Sequence, residues 1–357
     1  MSEPINLSDY ESLARDRLPK STFDYFASGA GTEITLRENR SAYDSIRLLP
    51  RVLVPVSNRD HSVTLFGKRF DSPIIVAPMA FQKLAHADGE IAAAQAAATA
   101  GAVYTASTVA TTSLEDIAAA TPASKWFQLY VFKDRGLTRS LVERAEAAGY
   151  LAIEVTADVP VMGRREADIH NRFSLPPELT VKNLESAGHG ALQAAEGKSG
   201  PALYTQYLFD ADLSWRDIEW FRSITSLPVL IKGVLRGDDA ARAMDSGASG
   251  IIVSNHGGRQ LDTSIATINA LPRVVDAVGG RGPVVVDGGI RRGTDIIKAL
   301  ALGASAVQVG RPVLWGLAVD GEAGATRVLS LLREEFDNAM ALCGCAIVGQ
   351  VTRDLIA

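Results

Sequence analysis

One sequence pattern recurs along this chain and constrains its fold more than any other feature. It consists of a helix-like stretch that ends in glycine, a short apolar run and then a polar cluster. Glycine can end a helix because it adopts the left-handed conformation at little cost. A continuous run of Val, Ile and Ala suits a strand that is buried on both faces of a parallel sheet. The clearest copies are Ala100-Gly101-Ala102 before 103–107, Ala148-Gly149-Tyr150 before 151–156, Ser246-Gly247-Ala248 before 250–254 and Leu302-Gly303-Ala304 before 306–310.

Over the whole sequence, this pattern predicts eight strands with helices between them. The strands are 74–77, 103–107, 126–130, 151–156, 229–232, 250–254, 284–287 and 306–310. The main helices are 89–100, 134–148, 214–226, 237–246, 265–278 and 294–302. Such alternation predicts an α/β fold, a (β/α)8 TIM barrel, and 357 residues are enough for one barrel with extra segments. A doubly wound sheet is the alternative.

Two stretches fall outside the repeat. Residues 1–73 are expected to form an N-terminal helical cap and a short hairpin around Gly67. Residues 160–213, after the fourth strand, are too many for a tight loop, and 185–200 are rich in Gly, Ala, Ser and Lys, which is typical of a mobile lid. Nothing indicates a second domain, so we expect one barrel domain over 1–357, with the cap and the lid included.

Composition narrows the function classes. A net charge of −5 gives no support to nucleic-acid binding, so an anionic ligand must be attracted by local cations. Cys343 and Cys345 are the only cysteines and form neither a disulfide framework nor a metal site. The N-terminus lacks the features of a signal peptide, and no apolar run approaches the roughly 20 residues of a membrane span. We therefore expect a soluble, cytoplasmic protein with no membrane or nucleic-acid partner.

Polar residues collect at the carboxyl ends of the predicted strands, where the active sites of barrel enzymes lie. They are Ser107, Gln128, Tyr130, Thr156, Asp158, Lys232, Ser254-Asn255-His256-Gly257-Gly258-Arg259, Asp287-Gly288-Gly289 and Gly310-Arg311. Polar residues often close a strand, but seven of eight strands with such endings indicate a site.

The last two endings are typical of a phosphate site. Barrels commonly hold a phosphate in the loops after strands seven and eight, against backbone N–H groups. The segments 287–293 and 310–312 combine glycines with Arg291 and Arg311, whose guanidinium groups suit a phosphate dianion. The glycines alone would also fit tight turns; the arginines favour phosphate, from either a cofactor or a substrate.

Several of these polar residues, with two arginines after the fourth strand, suggest catalysis. His256 lies in a glycine-rich loop where a base would act, close to Arg259, which could bind a carboxylate; Asp158 could orient the imidazole. Lys232 ends a buried strand and either reaches the solvent at the rim or stabilises an anionic reduced flavin. Arg164 or Arg165 could close over a substrate carboxylate, or both could belong to a solvated charge run. No cluster has the spacing of metal ligands.

With these motifs, the sequence resembles the FMN-dependent 2-hydroxy acid oxidases and dehydrogenases, a family that includes glycolate oxidase and lactate oxidase. The resemblance covers almost the whole chain. It rests on Phe23-Asp24-Tyr25-Phe26-Ala27-Ser28-Gly29-Ala30, Ala77-Pro78-Met79-Ala80, Trp126-Phe127-Gln128-Leu129-Tyr130, Gly163-Arg164-Arg165-Glu166-Ala167-Asp168, Ser254-Asn255-His256-Gly257-Gly258-Arg259-Gln260-Leu261-Asp262 and Asp287-Gly288-Gly289-Ile290-Arg291-Arg292-Gly293.

The resemblance implies FMN as cofactor and a role for each matching residue. Pro78, Met79 and Ala80 would contact the flavin through their backbone, and Ser107, Gln128, Thr156, Lys232 and Ser254 would contact its ring or side chain. Asp287, Gly288, Gly289, Arg291, Gly310 and Arg311 would hold the phosphate end. Tyr25, Arg165 and Arg259 would bind the substrate carboxylate, Tyr130 its hydroxyl, and His256 would be the base with Asp158 behind it.

One departure bears on the substrate. Where plant-type glycolate oxidases have Trp after the second strand, this chain has Val109, which leaves room beside the substrate's α-carbon. In this respect, and over 235–242, it is most similar to cyanobacterial-type lactate oxidases. We therefore expect oxidation of a small L-2-hydroxy acid, L-lactate first, to the 2-oxo acid, with O2 reduced to H2O2. Phe81 could narrow the pocket again.

Several alternatives stay open. Mandelate-type or glycolate substrates, a lactate monooxygenase, and a dehydrogenase that passes electrons to quinone or cytochrome all fit the family, although the polar segment 183–202 argues against a membrane-bound form. From another class, the barrel could bind a phosphorylated substrate without flavin. The resemblance also implies a homo-oligomer, a tetramer or an octamer.

Overall fold

The computed structural model describes residues 4–195 and 197–357. The chain begins with three helices and an antiparallel hairpin: α1 (Leu7–Arg17), α2 (Lys20–Ala27), α3 (Ile34–Ser45), β1 (Val63–Leu65) and β2 (Lys68–Phe70). The Asn6 side chain accepts hydrogen bonds from the backbone N–H groups of Ser8 and Asp9 in the first turn of α1, which have no partner within the helix itself. The hairpin that the sequence predicts around Gly67 turns at Phe66 and Gly67, and both residues have positive φ.

Eight parallel strands then form a closed barrel, which confirms the predicted fold. They are β3 (Ile74–Val76), β4 (Val103–Ser107), β5 (Lys125–Leu129), β6 (Ile153–Thr156), β7 (Val229–Val234), β8 (Gly250–Val253), β9 (Val284–Val286) and β10 (Ala306–Val309). Each strand pairs with the next, and β10 pairs with β3 to close the ring. Because an open doubly wound sheet has two free edges, this closure excludes the alternative.

Helices surround the barrel. They are α4 (Gly89–Thr99), α5 (Leu114–Ala120), α6 (Arg135–Ala147), α7 (Glu166–His170), α8 (Gly200–Leu208), α9 (Arg216–Ile224), α10 (Gly237–Asp245), α11 (Thr267–Val278), α12 (Gly293–Ala301) and α13 (Arg311–Leu342). As the sequence predicts, a glycine with positive φ follows the ends of α4, α6, α10 and α12. The long α13 contains a break at Asp320 and Gly321, whose backbone angles are not helical. Within the residues that the structure describes, no helix is long and apolar enough to cross a membrane.

The barrel interior is closed at one end and polar at the other. Ile75, Trp126, Leu230 and Val285, on alternate strands, pack in one cluster with hairpin residues of β1 and β2. Side chains two residues apart on a strand point to the same face. Two residues after each of these strand residues lie Ala77, Gln128, Lys232 and Asp287, which therefore also face the barrel interior. Those four residues line a cavity at the carboxyl ends of the strands.

The N-terminal helices are fastened to the loop after β8. The Ala30 N–H donates to the Gly258 carbonyl at 2.8 Å, and the Asn39 and Asn255 side chains exchange two hydrogen bonds of 2.8 Å. These contacts bring α2, which carries Tyr25, to the mouth of the barrel.

Residues 160–213 run across the same end. Beside α7 and α8, the segment contains a short 3-10 helix, Lys182–Ala187, and an isolated bridge between Ala195 and Lys198. Glu196 lies outside the described residues.

Candidate active site

The cavity at the carboxyl ends of the strands contains nearly all the predicted site residues. Its empty volume, with the solvent-filled mouth included, is about 1240 Å³. The predicted residues that line it are Tyr25, Pro78, Met79, Ala80, Ser107, Val109, Gln128, Tyr130, Thr156, Arg165, Lys232, His256, Arg259, Asp287, Gly288, Gly289, Arg291, Gly310 and Arg311. Asp158 and Ser254 are not in the wall, but each contacts a residue that is.

His256 is held from three sides. Its Nδ1 lies 3.0 Å from Asp158 Oδ1, its Nε2 lies 3.5 Å from Tyr130 Oη, and its backbone N–H donates to Ser254 Oγ at 3.0 Å. The residue has φ +57°, a left-handed conformation that is uncommon outside glycine and typical of functional sites. Because the carboxylate faces Nδ1, Nε2 is the ring nitrogen left to accept a proton from a substrate.

Two guanidinium groups and a phenol lie beside His256. The Arg165 Nε–H donates to the Arg259 carbonyl at 3.2 Å, and the Arg259 guanidinium lies 5.0 Å above the Tyr25 ring and donates to the Ser28 carbonyl. Burial and the nearby Arg259 charge lower the pKa of Arg165 to about 10. A buried cation without a close counter-charge favours an anionic ligand.

Tyr25 and Tyr130 are two of the tyrosines that line this cavity. Burial raises the pKa of both, and the negative charge of Asp158 adds to the shift of Tyr130. Both phenols are therefore protonated at neutral pH and can donate a hydrogen bond. Tyr25 is fixed by parallel stacking on Phe173, with 4.1 Å between ring centroids.

The strand ends present a connected row of amide and hydroxyl groups. Gln128 Nε2 donates to Thr156 Oγ1 at 2.9 Å, and Gln128 Oε1 accepts from Ser107 Oγ at 3.2 Å. These three side chains are almost fully buried, yet they line the cavity, so they can offer fixed donors and acceptors to a planar heterocycle.

Lys232 forms the cationic part of the same wall. Its ammonium donates to Ser254 Oγ at 2.8 Å and pairs with Asp287, whose carboxylate also accepts from Ser254. Burial acts to lower the pKa of Lys232, but the carboxylates of Asp287 and Asp158 outweigh it and raise the pKa. Lys232 is therefore a permanent positive charge, and Asp287 Oδ1 still lacks a hydrogen-bond partner within the part of the chain that the structure describes.

The glycine loops after β9 and β10 lie at one side of the cavity. Gly289 has φ +83°, and a Cβ there would lie 1.8 Å from the Asn39 carbonyl oxygen, so only glycine fits. Arg311 donates to the carbonyls of Phe26, Gly257 and Ser28.

Neither the Arg291 nor the Arg311 guanidinium group forms an ion pair with a carboxylate among the described residues, although the Arg291 backbone N–H donates to Asp295 Oδ2 at 2.9 Å. Burial lowers the pKa of Arg291, and burial with the Arg259 charge lowers that of Arg311 to about 9. Two partly buried guanidinium groups without a carboxylate partner, beside glycine backbone, fit a phosphate dianion well.

Part of the cavity wall was not predicted from the sequence. It consists of Phe26, Met162, Leu192, Pro201, Tyr204, Thr205, Phe209, Ile290, Gln308 and Leu314, with three positions that flank predicted residues; Phe81, which the sequence suggested for the pocket, also lines it. Gln308 could have been found, because a glutamine in the Val-rich run of β10 is unusual. Leu192, Tyr204 and Phe209 carried no such signal, since the course of residues 160–213 does not follow from their composition.

The comparisons with known proteins agree with this site. The chain is 54% identical to an L-lactate oxidase of Nostoc sp., over 97% of this chain and 96% of the relative. It is 52% identical to glycolate oxidase 1 of Oryza sativa subsp. indica, over 99% and 95%. The crystal structure of a mandelate oxidase with (S)-4-hydroxymandelic acid superposes with a TM-score of 0.95 at 47% identity, over 98% of both chains.

The fold and the site define a flavin-dependent barrel oxidoreductase. The model of the FMN-dependent dehydrogenase family matches residues 14–357, and the chain belongs to this family. It is thus an enzyme of the FMN-dependent 2-hydroxy acid oxidase type, and FMN is its cofactor. The Gln128 amide with the Ser107 and Thr156 hydroxyls, the permanent Lys232 charge and the two arginines without a carboxylate partner are the donor set that this cofactor needs.

Proposed function

We propose that this enzyme oxidises a small L-2-hydroxy acid, L-lactate in the first place, to the 2-oxo acid and passes the electrons to O2, which gives H2O2. The observation that carries the proposal is the meeting of His256, Arg165 and Arg259 in one wall of the cavity that also contains Lys232. The relatedness to an L-lactate oxidase supports the choice of lactate.

The cofactor's place follows from the polar walls. The phosphate would be held by Arg291, Arg311 and the backbone of Gly288, Gly289 and Gly310. The ring would lie against Gln128, Thr156, Ser107 and Lys232, over the backbone of Pro78, Met79 and Ala80. Ser254 and Asp287 fix Lys232. When bound, FMN supplies the two-electron acceptor that O2 reoxidises.

The chain's own residues bind and deprotonate the substrate. Arg165 and Arg259 bind the carboxylate, with Tyr25 as a further donor, and Tyr130 donates to the substrate hydroxyl. His256 Nε2 accepts one proton from the substrate, and Asp158 stabilises the imidazolium that results. These contacts hold the substrate at both ends, which fixes its α-carbon in one orientation.

The segment 160–213 would cover the bound substrate as a lid of the single barrel domain. Leu192, Tyr204 and Phe209 already line the cavity. The prediction of a mobile lid and of the domain bounds stays a proposal, as do the cytoplasmic location and a homotetramer or octamer.

Mandelate-type substrates are the second candidate. Val109 lines the cavity where a larger side chain would fill it, and the fold superposes closely on a mandelate oxidase. An aryl group beside Val109 would share the cavity with Phe81, which also lines it.

An anaerobic titration of the yellow holoenzyme tests the proposal. L-Lactate, glycolate and L-mandelate are added separately, and bleaching of the flavin absorbance is followed in a stopped-flow instrument. We expect L-lactate to reduce the flavin with the highest ratio of rate to Kd, and admission of air to release one H2O2 for each 2-oxo acid. Faster reduction by mandelate would favour the second candidate; acetate with no peroxide would indicate a monooxygenase.

A variant of the base gives the matching control. We expect His256→Ala to retain bound FMN and to lose nearly all reduction by L-lactate, while dithionite still bleaches it. A variant that L-lactate reduces at the normal rate would refute the role of His256.

A further inference from the structure

A polar layer crosses the barrel interior directly below the cavity wall. Thr105 on β4, Glu154 on β6 and Gln308 on β10 are 0%, 0% and 1% exposed. Such layers in barrels consist mainly of Val, Ile and Leu. Glu154 lies two residues before Thr156, on the same face of β6, so it is one layer deeper than the residues proposed to contact the flavin.

The hydrogen bonds of this layer leave two acceptors unpaired. Glu154 Oε1 accepts from Thr105 Oγ1 at 3.1 Å and from Gln308 Nε2 at 2.5 Å. Glu154 Oε2 and Gln308 Oε1 have no partner within residues 4–195 and 197–357. An unpaired buried acceptor is costly, and a proton on the Glu154 carboxyl would turn one such acceptor into a donor.

The charges around Glu154 act in opposite directions. Lys232 of β7 and Asp287, directly after β9, are the charged groups that act on it, and β4 and β10 present the neutral Thr105 and Gln308. Burial raises the pKa of Glu154 to about 7, against the effect of Lys232. Lys232 is already paired with Asp287, so an ionised Glu154 would be a second carboxylate with no cation of its own.

We propose that Glu154 is a positioning residue that binds one proton from solvent when the flavin above Lys232 is reduced, and so links the reduction potential of this enzyme to pH. The inference rests on the flavin placement proposed above. Reduction delivers two electrons and one proton to the flavin, which gains one negative charge near Lys232. That charge favours the neutral form of Glu154, so a second proton moves from solvent to its carboxylate.

The coupling is reciprocal: if reduction favours protonation of Glu154, protonation of Glu154 favours reduction to the same extent. Gln308 both lines the cavity and donates to Glu154, so only one side chain separates the carboxyl from the cavity.

The midpoint potential of the bound FMN, measured against pH with equilibrating dyes, tests the inference. For a two-electron couple, each bound proton changes the potential by about 30 mV for a tenfold change in proton concentration. We expect Glu154→Gln to follow this single slope from pH 6 to 9. At pH 6 the wild type should have the same potential as Glu154→Gln. Over an interval that begins near neutrality, the potential of the wild type should fall with twice the slope of the variant, so above pH 7 it should be lower than that of the variant.

A second variant separates this role from a structural one. Thr105→Val keeps the shape but removes one donor to the carboxylate, which raises the pKa of Glu154 and should move the break in the profile to higher pH. Parallel profiles for the wild type and Glu154→Gln would overturn the inference.

Lys232→Met tests the flavin placement by itself. We expect it to lower the potential at every pH or to lose FMN. If Lys232→Met has such an effect and Glu154→Gln leaves the slope unchanged, only the inference about Glu154 fails. If neither variant has an effect, the placement fails as well.

Discussion

The pairing of His256 with Asp158 is the contact on which the proposed chemistry depends most. The 3.0 Å distance between Nδ1 and Oδ1 keeps Nε2 directed towards Tyr130 and the cavity. Because Asp158 Oδ2 has no hydrogen-bond partner within the described residues, His256 is the side chain that this carboxylate serves.

We predict that Asp158→Asn slows flavin reduction by L-lactate by roughly 10²–10⁴-fold, the usual contribution of general-base catalysis. The amide keeps the shape but no longer stabilises the imidazolium. Single-turnover reduction under anaerobic conditions measures the rate. Asp337→Asn is the matched control, because Asp337 lies 2.7 Å from His61 Nε2 in a His–Asp pair that does not line the cavity. Equal rates for wild type and Asp158→Asn would contradict the assignment.

Val109 gives a prediction about substrate size. Its side chain lines the cavity and is 8% exposed. We expect Val109→Trp to reduce kcat/KM for L-lactate by about 10–200-fold, since a methyl group in an apolar pocket contributes about 1–3 kcal/mol. Glycolate, which lacks that methyl group, is the internal control and should lose little. An equal loss for both acids would show that Val109 does not contact the substrate's side chain.

At the scale of elements, the barrel could be predicted from the sequence because its strands are buried on both faces. The predicted strand 103–107 agrees with β4 at both ends, and the predicted 126–130 lies one residue later than β5. A continuous apolar run that follows a helix ending in glycine is a local signal for a buried parallel strand, and the tertiary contacts of the barrel agree with it. The alignment of polar strand ends in one wall then follows from the topology alone.

The elements that could not be predicted are those whose positions depend on long-range contacts. The 3-10 helix Lys182–Ala187 is fixed by Asn183, whose amide donates to the carbonyls of Ser107 and Thr108 after β4. Helix α8 places Tyr204 in the cavity wall, with its phenol donating to the His189 carbonyl at 2.6 Å. Neither partner is adjacent in sequence, so periodicity and composition give no sign of them.

The proposed lid can be tested by hydrogen exchange. We expect the backbone amides of residues 185–208 to exchange more slowly when pyruvate, a 2-oxo acid, occupies the site of the holoenzyme. The hairpin of β1 and β2, at the opposite end of the barrel, is the control and should not change. Identical exchange of 185–208 with and without pyruvate, at a concentration that perturbs the flavin spectrum, would contradict a lid.

At the scale of the whole molecule, one apolar surface bears on assembly. Val52, Leu53 and Leu342 are 79%, 100% and 70% exposed. The Arg51 N–H donates to the Cys343 carbonyl, so these residues lie on neighbouring segments. Exposed apolar side chains of this size are typical of subunit interfaces.

We predict a homotetramer or octamer in solution, and a smaller species for Leu53→Asp combined with Leu342→Asp. Light scattering after size exclusion measures the mass. Val161→Asp is the control, because Val161 is also exposed, at 67%, but belongs to the segment over the cavity. A monomeric wild type would refute the prediction, and an unchanged mass of the double variant would show that this surface is not the interface.

The burial of Glu154 also makes the stability of the apoprotein depend on pH. Its pKa is about 7 in the folded chain, because of burial, against 4.5 for a free glutamate. The folded state therefore binds more protons than the unfolded state between these values, so the contribution of Glu154 to stability is fully present below pH 4.5 and is lost as the pH rises to about 7. We expect the unfolding free energy of the wild type to fall by about 3 kcal/mol relative to Glu154→Gln over this interval, at 1.36 kcal/mol for each pKa unit. Urea unfolding of both apoproteins at several pH values isolates Glu154, since every other group titrates in both. A constant difference would show that Glu154 is ionised throughout, and the proton uptake inferred for it would then have no basis.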